Sequence, residues 1–292
     1  MKQLAVIKAS SLAKEYRLYN IDISRFIKGV EEFELLEDAD GLRFWQPAIT
    51  GDSAFYGDLC QKIPWYYSPE KEEFKVARKF IKAGPLLEIG CGEGLFAIKE
   101  NIPEFTGIEI NETAARKAIS KGLNVHIEDF EEYSRTHSMC AKTICSFQVL
   151  EHLPSPDIFF KSCYKLLQED GILITSVPCE DSFISTLESN CLNAPPHHIT
   201  RWTDNCLKTF PSKYGFECIK LIHIPIEPCH YGWFWSSLID KSLQQAEHGK
   251  GRIKNLKLKV AMKMLNFLGA TNYVPKEFNI PGHTVLAVHK KA

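Results

Sequence analysis

Three alternating glycines, followed at a distance by an acid, are the residues of this sequence best suited to bind a ligand. Gly90, Gly92 and Gly94 lie in LLEIGCGEGLF (86–96), where an apolar run leads into a loop. Glycines permit a sharp turn and let a ligand lie against bare backbone at a helix N-terminus. Glu109 ends the next apolar run, 19 positions after Gly90, where an acid receives the ribose hydroxyls of a nucleotide. The spacing predicts a nucleotide-type cofactor, although such glycines by themselves also occur in tight structural turns.

The same loop departs from the dinucleotide fingerprint. That pattern is G-x-G-x-x-G, whereas Leu95 stands where its last glycine would fall. A nicotinamide cofactor is therefore disfavoured. A nicotinamide oxidoreductase remains a further hypothesis. Binding of a nicotinamide cofactor in preference to other cofactors would support it.

Short apolar strands and helices alternate around this loop and must position it. The predicted strands are LLEI (86–89), FTGIEI (105–110), NVHIEDF (124–130), TICSF (143–147), GILITSVP (171–178), FECIKLIHIP (216–225) and HTVLAVHKK (283–291). The predicted helices cover about 69–82, 94–100, 111–121, 157–168 and 203–213. This alternation is typical of a parallel sheet with helices on both faces, whose ligands bind at the carboxyl ends of the strands.

Together these segments resemble the class I S-adenosylmethionine-dependent methyltransferases, in the branch that modifies small molecules and glycans. The resemblance rests on LLEIGCGEG, FTGIEI, IEDF and SFQVLEHLPSPDIFFKSCYKLLQEDGILITSVP (146–178), and covers about residues 70–225 and the terminal strand. It implies a Rossmann-like, doubly wound α/β fold with seven strands in the order 3-2-1-4-5-7-6 and an antiparallel last strand. It also implies S-adenosyl-L-methionine as cofactor and a methyl acceptor that is a small molecule, sugar or lipid-linked precursor, with a hydroxyl or similar nucleophile. A non-catalytic module or scaffold of the same fold, binding S-adenosylmethionine or S-adenosylhomocysteine, is the alternative.

The resemblance assigns cofactor roles to residues at the ends of successive strands. Glu109 would bind the ribose diol, and Ile110 would pack on the adenine. Asp129 would meet the adenine amino group, with Phe130 either beside the ring or packed in the core. The implied cofactor-binding residues are Glu88, Gly90, Cys91, Gly92, Gly94, Glu109, Ile110, Asp129, Phe130, Phe147 and Gln148.

Three histidines are the candidate catalytic residues. His152, in LEHL, is placed by the family motif at the mouth of the pocket, where a histidine near its ordinary pKa can take a hydroxyl proton. The alternative is that its ring holds the loop through a hydrogen bond. His197 and His198, in NAPPHHITRW (193–202), follow the fifth strand and rank second. Trp202 in the same segment is a weak substrate-binding candidate.

Two motifs resemble metal sites of relatives but lack their ligands. The pair Glu151 and His152 resembles the motif of ubiquinone-pathway O-methyltransferases, some of which use a divalent cation. That pattern has another carboxylate three positions before the pair. Here the residue at that position is Gln148, whose neutral amide is a weaker ligand for a divalent cation. The segment EDADGLRF (37–44) resembles a zinc ribbon, but it has carboxylates where the ribbon has thiols. Structural zinc prefers thiolate ligands. We expect no metal at either place.

The flanking regions are expected to supply the acceptor site. Residues 1–68 form an N-terminal cap with a hairpin at Asp38–Gly41, residues 69–225 and 281–292 form the methyltransferase core, and residues 226–280 form a helical insertion. Trp65, Tyr66 and Tyr67 either close over the substrate or anchor the cap.

The insertion contains a basic segment with apolar residues at helical spacing, over 250–268. Such a helix either lies on an anionic membrane or packs on its own domain or on a second copy in a homodimer.

Composition excludes several other classes of protein. The 292 residues are 45% hydrophobic and 24% charged, and 35 basic against 36 acidic residues leave a net charge of −1. This balance argues against a nucleic-acid partner. No apolar run spans a bilayer or reads as a signal peptide, and the ten cysteines form no CxxC pair. We therefore expect a cytoplasmic protein with reduced thiols, peripheral to the membrane if the basic helix binds lipid.

Overall fold

The computed structural model describes residues 1–63, 71–187, 190–238 and 281–292. The strands in these ranges are β1 (Lys2–Lys8), β2 (Glu32–Glu37), β3 (Arg43–Gln46), β4 (Leu86–Ile89), β5 (Phe105–Ile108), β6 (Val125–His126), β7 (Ala141–Phe147), β8 (Leu167–Pro178), β9 (Thr200–Arg201), β10 (Phe216–Pro225) and β11 (Pro281–Lys291). The helices are α1 (Ala9–Arg17), α2 (Ser53–Lys62), α3 (Glu72–Arg78), α4 (Leu95–Lys99), α5 (Glu112–Ser120), α6 (Phe130–Thr136), α7 (Pro156–Leu166) and α8 (Asp204–Thr209). Leu150–His152 form a short 3-10 helix, and residues 231–238 are also helical.

A seven-stranded sheet forms the centre of the molecule. Its strands lie in the order β10-β11-β8-β7-β4-β5-β6. Strands β4 to β8 run parallel to one another, whereas β11 is antiparallel to both β8 and β10. Counted along the chain, this is the order 3-2-1-4-5-7-6, so the predicted Rossmann-like sheet is confirmed. Its carboxyl edge brings the ends of β4, β5 and β7 together.

Apolar side chains on both faces of this sheet explain why helices cover it. All four residues of β4 are buried, which is typical of a strand in the middle of a parallel sheet. On one face pack Phe130 of α6 and Phe159 and Phe160 of α7. On the other face pack residues of α3 and α4. Each large apolar side chain buried in this way contributes about 1.5 to 3 kcal/mol.

The element boundaries differ from the prediction where a helix cap intervenes. The strand expected over 124–130 ends at His126, because the Asp129 side chain accepts a hydrogen bond from the Glu131 N–H and begins α6. Helix α6 itself was not predicted. Strand β8 starts at Leu167, earlier than expected, because Leu167 pairs with Ala141 at the start of β7.

The N-terminal cap is a second sheet with its own apolar core. Its strand order is β1-β2-β3-β9, and the predicted hairpin is β2 and β3. In the turn, Asp38 Oδ1 accepts hydrogen bonds from the Asp40 and Leu42 N–H groups. Strand β1 and helices α1 and α2 were not predicted.

The cap also takes in a segment of the chain that the domain prediction assigned to the core. Strand β9 pairs with β3, and Cys191, Leu192 and Ala194 pack with the cap's buried aromatic residues. The Trp45 Nε1–H donates to the Asn193 carbonyl oxygen over 3.2 Å. Residues of the 190–201 segment therefore belong with the cap, whereas the predicted boundary near residue 68 lies outside the described residues.

A buried ion pair joins the cap to the core. The Arg201 guanidinium lies 2.6 Å from the Glu180 carboxylate, which is 3% exposed. Arg43 of β3 lies 3.5 Å from the same carboxylate.

No helix in the described part of the chain is long and apolar enough to cross a membrane.

Candidate active site

The glycine loop joins β4 to α4 with left-handed backbone at all three glycines. The φ angles are +73° at Gly90, +53° at Gly92 and +73° at Gly94. Glycine adopts such positive φ angles more readily than any other residue. A Cβ at Gly90 would lie 2.5 Å from Val149 Cγ2, so Gly90 lets the segment after β7 pack against the loop. A Cβ at Gly92 would meet nothing within 4 Å. The backbone at Gly92 is therefore open to a ligand.

Glu109 ties this loop to the end of the neighbouring strand. One carboxylate oxygen accepts the Gly92 N–H over 2.8 Å, and the other accepts the Asn111 N–H over 2.7 Å. The side chain is nearly buried at the carboxyl edge of the sheet. Ile110 beside it is 71% exposed, and Asp129 caps α6 at the end of the next strand connection. Glu109, Ile110 and Asp129 thus follow neighbouring strands at the carboxyl edge of the sheet, and their contacts with ribose and adenine stay predictions.

A group of buried acids lies on the other side of the loop. Glu88 is buried at the end of β4, and in the described part of the chain its Oε2 has no hydrogen-bond partner. Burial raises the pKa of Glu88 well above its ordinary value. Gln148, with a strained φ of +56°, donates from Nε2 to Glu73 Oε2 over 3.1 Å, and Lys71 Nζ lies 3.4 Å from Glu73 Oε1. Both carboxyl oxygens of Glu73 are thus paired within the protein, one with Gln148 and the other with Lys71.

Lys71 and Glu73 were missed by the sequence analysis. Glu73 lies in the helix predicted over about 69–82, and it is 4% exposed. Its only distinguishing signal is an acid next to Phe74 on the buried face of α3. Nothing in the spacing indicates that this face meets Gln148.

Several predicted cofactor residues are packing residues in the structure. Cys91 is buried against Gly107, whose Cβ position would lie 2.5 Å from the Cys91 sulfur. Phe147 packs between Phe74 and Phe96, with ring centroids 5.0 and 4.8 Å away. Phe130 packs edge-on against Phe159 in the core, which is the alternative that the sequence left open.

The three candidate histidines meet in space. The ring centroids of His152 and His197 are 4.8 Å apart, those of His152 and His198 are 5.0 Å apart, and those of His197 and His198 are 4.2 Å apart. We call these three side chains the histidine cluster. His197 and His198 are buried, and His152 is partly exposed. The structure thus brings together the two segments that the sequence ranked separately.

Each ring in the histidine cluster uses Nδ1 for a hydrogen bond to an oxygen. His152 Nδ1 lies 2.6 Å from the His197 carbonyl oxygen, and His197 Nδ1 lies 2.7 Å from the Leu192 carbonyl oxygen. His198 Nδ1 lies 3.2 Å from Asn193 Oδ1. Because carbonyl oxygens only accept, Nδ1 carries the proton of a neutral ring, and the lone pair is on Nε2.

Burial keeps these rings neutral. Loss of solvation lowers the pKa of His152 to about 4 and lowers the pKa values of His197 and His198 well below the ordinary value. The expectation of an ordinary pKa for His152 is therefore wrong, and its ring is a weaker base than expected, although the lone pair of a neutral imidazole can still accept a proton or bind a metal.

Two further groups border the histidine cluster and were not singled out as candidates. The Tyr56 hydroxyl of α2 lies 3.2 Å from His152 Nδ1. Glu151 is 2% exposed, and neither of its carboxyl oxygens has a hydrogen-bond partner among the described residues. Its Oε1 lies 3.9 Å from His198 Nε2, and burial raises the pKa of Glu151 to about 8. Glu151 entered the sequence analysis only through its place in the ubiquinone-type motif.

Backbone contacts hold the cluster next to the glycine loop. The His152 N–H donates to the Val149 carbonyl oxygen, and Val149 is the residue that packs on Gly90. The Ile199 N–H donates to the Glu151 carbonyl oxygen over 2.8 Å. The histidine cluster therefore borders the cofactor loop at the carboxyl edge of the sheet.

The remaining candidates do not line this site in the described residues. Trp202 is fully buried and packs against Phe160 and Phe210, so it is a packing residue. Trp65, Tyr66 and Tyr67 and the basic segment 250–268 lie outside the described residues.

Two other clusters combine possible metal ligands. One is Cys179, Asp204 and His223, and the other is Glu227, Cys229 and His230. In the first, His223 Nε2 and Asp204 Oδ2 are 2.9 Å apart and form an ion pair when the ring is protonated.

Known proteins agree with this geometry. Residues 66–221, more than half of the chain, match the family model of the methyltransferase domain. Ubiquinone biosynthesis O-methyltransferase of Haemophilus ducreyi is 31% identical over 103 residues, which cover 31% of this chain and 44% of that protein. The chain thus spans less than half the length of this relative. A tRNA (guanine-N(7)-)-methyltransferase of Mycoplasma genitalium is 30% identical over 154 residues, covering 44% of this chain and 70% of that protein.

Solved structures share the fold at low identity. A SAM-dependent methyltransferase from Archaeoglobus fulgidus has a TM-score of 0.53 and 18% identity, covering 82% of this chain and all of that chain. A SAM-dependent methyltransferase from Thermotoga maritima, described as a possible histamine N-methyltransferase, has a TM-score of 0.51 and 16% identity. The match covers 75% of this chain and 88% of that chain. The glycine loop, the acid after β5 and the sheet order all fit S-adenosylmethionine. The chain belongs to the methyltransferase domain family.

Proposed function

We propose that this enzyme methylates a hydroxyl group of a small molecule. The observation that carries the proposal is the histidine cluster, three neutral imidazoles next to the cofactor loop. An alcohol must lose its proton as it is methylated, so a neutral imidazole beside it is useful. The resemblance to ubiquinone-type O-methyltransferases supports the same chemistry.

The residues around the glycine loop would hold the cofactor. The Gly92 backbone and Glu109 would face its ribose, and the buried acids Glu88 and Glu73 its amino group. When bound, S-adenosylmethionine supplies an electrophilic methyl carbon, whose bond to sulfur breaks, with the electron pair kept by sulfur, as the bond to the acceptor oxygen forms. Exclusion of water by the packed walls of the site and close positioning of the acceptor lower the barrier.

His152 is the proposed proton acceptor. Its Nδ1–H is fixed on the His197 carbonyl oxygen, which leaves the lone pair of the neutral ring on Nε2, the atom that would take the proton of the acceptor hydroxyl. His197 and His198 are positioning residues in this scheme, because their Nδ1 groups are anchored on the 192–193 segment of the cap. Tyr56 borders His152 from the cap.

The first test is calorimetric titration of the full chain with S-adenosylmethionine, S-adenosylhomocysteine and NADH. We expect the two sulfur compounds to bind and NADH not to bind. Glu109→Ala removes the proposed charge-assisted hydrogen bond to the ribose, and a loss of about 1.5 to 3 kcal/mol should raise the Kd about 10- to 150-fold. Glu112→Ala is the matched control, since Glu112 is exposed and its ion-pair partner is Arg116 on its own helix.

Turnover distinguishes an enzyme from the non-catalytic alternative. In a screen of alcohols, sugars and lipid precursors, His152→Ala should lower kcat about 100- to 10,000-fold with S-adenosylhomocysteine binding retained. Unchanged kcat in this variant would remove His152 from the mechanism. Binding of both sulfur compounds with no methylated product from any class would favour the non-catalytic scaffold.

The finer assignments of acceptor and location belong to the same proposal. A sugar or lipid-linked acceptor, a homodimer and a cytoplasmic location peripheral to the membrane are predictions from sequence. Sedimentation with anionic vesicles tests the membrane contact proposed for residues 250–268, and neutral vesicles are the control. Equal recovery with both would contradict a role for that segment.

A further inference from the structure

We infer that the histidine cluster is a binding site for a divalent transition-metal ion, with His152, His197 and His198 as its three ligands. One ring nitrogen from each lies within 4.8 Å of those of the other two. Tetrahedral zinc with bonds of about 2.0 to 2.1 Å to nitrogen needs ligand atoms somewhat closer than 4 Å. Small rotations of the rings therefore complete the site.

The hydrogen bonds of the cluster are those of metal-binding histidines. A ligating histidine usually donates its other ring N–H to a carbonyl or carboxylate, which fixes the tautomer and the ring orientation. All three rings do this through Nδ1, which assigns Nε2 as the ligand atom in each.

The orientation of the Asn193 amide, on which the His198 tautomer depends, is itself fixed. Asn193 Nδ2 donates to Glu180 Oε1 over 3.1 Å, so Oδ1 faces the His198 ring. Glu180 in turn is held by Arg201. The buried ion pair between cap and core thus also orients a ligand of the proposed site.

Glu151 supplies an independent observation. Its carboxyl group is buried 3.9 Å from His198 Nε2, with no hydrogen-bond partner for either oxygen in the described parts of the chain. A buried carboxyl group of this kind is costly unless it is paired. A bound dication, or water on that ion, gives it a partner and balances its charge.

The chemistry of the donors selects the class of metal. Three imidazoles suit zinc and neighbouring first-row ions, whereas magnesium and calcium prefer oxygen ligands. Three protein ligands leave a position for the acceptor oxygen, as in catalytic zinc sites. The donor set differs from the paired carboxylates of the ubiquinone-type motif, so Gln148 does not weaken it, and it revises the expectation of a metal-free site.

The role of the ion rests on the proposed function, whereas its binding does not. An acceptor hydroxyl on the metal would lose its proton more readily, as metal-bound water does. With the ion bound, His152 is a ligand, and Glu151 is the group beside the metal that can take the proton.

The test uses the full chain after treatment with a chelator, titrated with Co²⁺ and followed by visible absorption. We expect one Co²⁺ per chain, with d–d bands of a four- or five-coordinate site, no thiolate charge-transfer band, and displacement by Zn²⁺. His198→Ala should weaken binding at least about 100-fold. Asn193→Ala keeps all three ligands and should weaken it about 10- to 100-fold.

His223→Ala is the matched control because it disables the Cys179 cluster. Its Co²⁺ affinity should equal that of the unmodified protein. The proposal is overturned if no stoichiometric binding occurs, or if binding survives His198→Ala and Asn193→Ala but is lost in His223→Ala, with a thiolate band.

Calorimetry with S-adenosylhomocysteine on the same samples separates this inference from the proposed function. Cofactor binding without Co²⁺ binding contradicts the metal site alone. Co²⁺ binding without cofactor binding contradicts the proposed function and supports the site.

Discussion

The cofactor side and the acceptor side of the site share one edge of the central sheet but are built from very different lengths of chain. On the cofactor side, Gly92 and Glu109 are 17 residues apart, and Glu109 also binds the backbone two residues away. On the acceptor side, His152 meets His197 across 45 residues and Tyr56 across 96. The contact between Gly92 and Glu109 lies within one strand–loop–helix–strand unit, whereas the acceptor side joins segments of the cap and of the core. Elsewhere on the cofactor side, the contact between Glu73 and Gln148 also spans 75 residues.

The two sides also differ in the kind of buried titratable group. Glu88 and Glu73 are buried acids beside the glycine loop. The acceptor side holds neutral histidines, and Glu151 lies where the two sides meet. The proposed cofactor side thus contains buried carboxyl groups, whereas the proposed acceptor side contains imidazole lone pairs.

The largest expected effect comes from breaking the pair that docks the cap. Arg201→Met leaves the Glu180 carboxylate buried without its closest partner, and should lower the free energy of unfolding by about 3 to 5 kcal/mol. Urea unfolding measures this loss. Arg43→Met is the control, because Arg43 is more exposed and 3.5 Å from Glu180, and it should cost about 1 kcal/mol. Equal losses in the two variants would contradict a docking role for Arg201.

The next largest expected effect is the contribution of a buried histidine to the pH dependence of stability. His289 is buried in β11 with its Nε2 on the Leu207 carbonyl oxygen, and burial lowers its pKa from 6.5 to about 4. Between these values the unfolded chain binds a proton that the folded protein does not, so stability falls as pH falls from 6.5 to 4. His289 accounts for about 3 kcal/mol of this loss.

His289→Gln should remove that part of the acid destabilisation, since an amide can donate the same hydrogen bond without titrating. The measurement is the free energy of unfolding at pH 7 and pH 4 for both proteins. The difference between them isolates His289 from Glu151, whose raised pKa acts in the opposite direction. Parallel pH profiles would contradict the assignment.

The smallest effect compares two glycines of the cofactor loop. Gly90→Ala and Gly92→Ala both place a side chain at positive φ, but only the Cβ at Gly90 meets Val149. Gly90→Ala should therefore destabilise the protein by about 2 kcal/mol more than Gly92→Ala. It should also disturb the histidine cluster through Val149, which the metal titration would detect. Equal losses would show that the two sides are uncoupled at this contact.

The sequence predicted well what depends on neighbouring residues. The strands of the central sheet, their order and the hairpin around Asp38 are confirmed. Periodicity did not identify β1, whose seven residues lie at the edge of the cap sheet and are mostly exposed, so they carry no clear alternation. It also overextended β6, because the cap formed by Asp129 ends the strand although the residues continue to look strand-like.

Sequence by itself predicted the α/β sheet and the glycine loop, because these follow from local turn chemistry and from apolar patterns that repeat along the chain, whereas the family and the order of the strands came from the resemblance to known methyltransferases. Only the tertiary structure decided that His152, His197 and His198 form one cluster, that Tyr56 and Glu151 border it, and that Trp202 is a packing residue. These contacts join segments whose separation along the chain carries no periodic signal. They form because the cap and the core each bury an apolar face, and residues 190–201 belong to both.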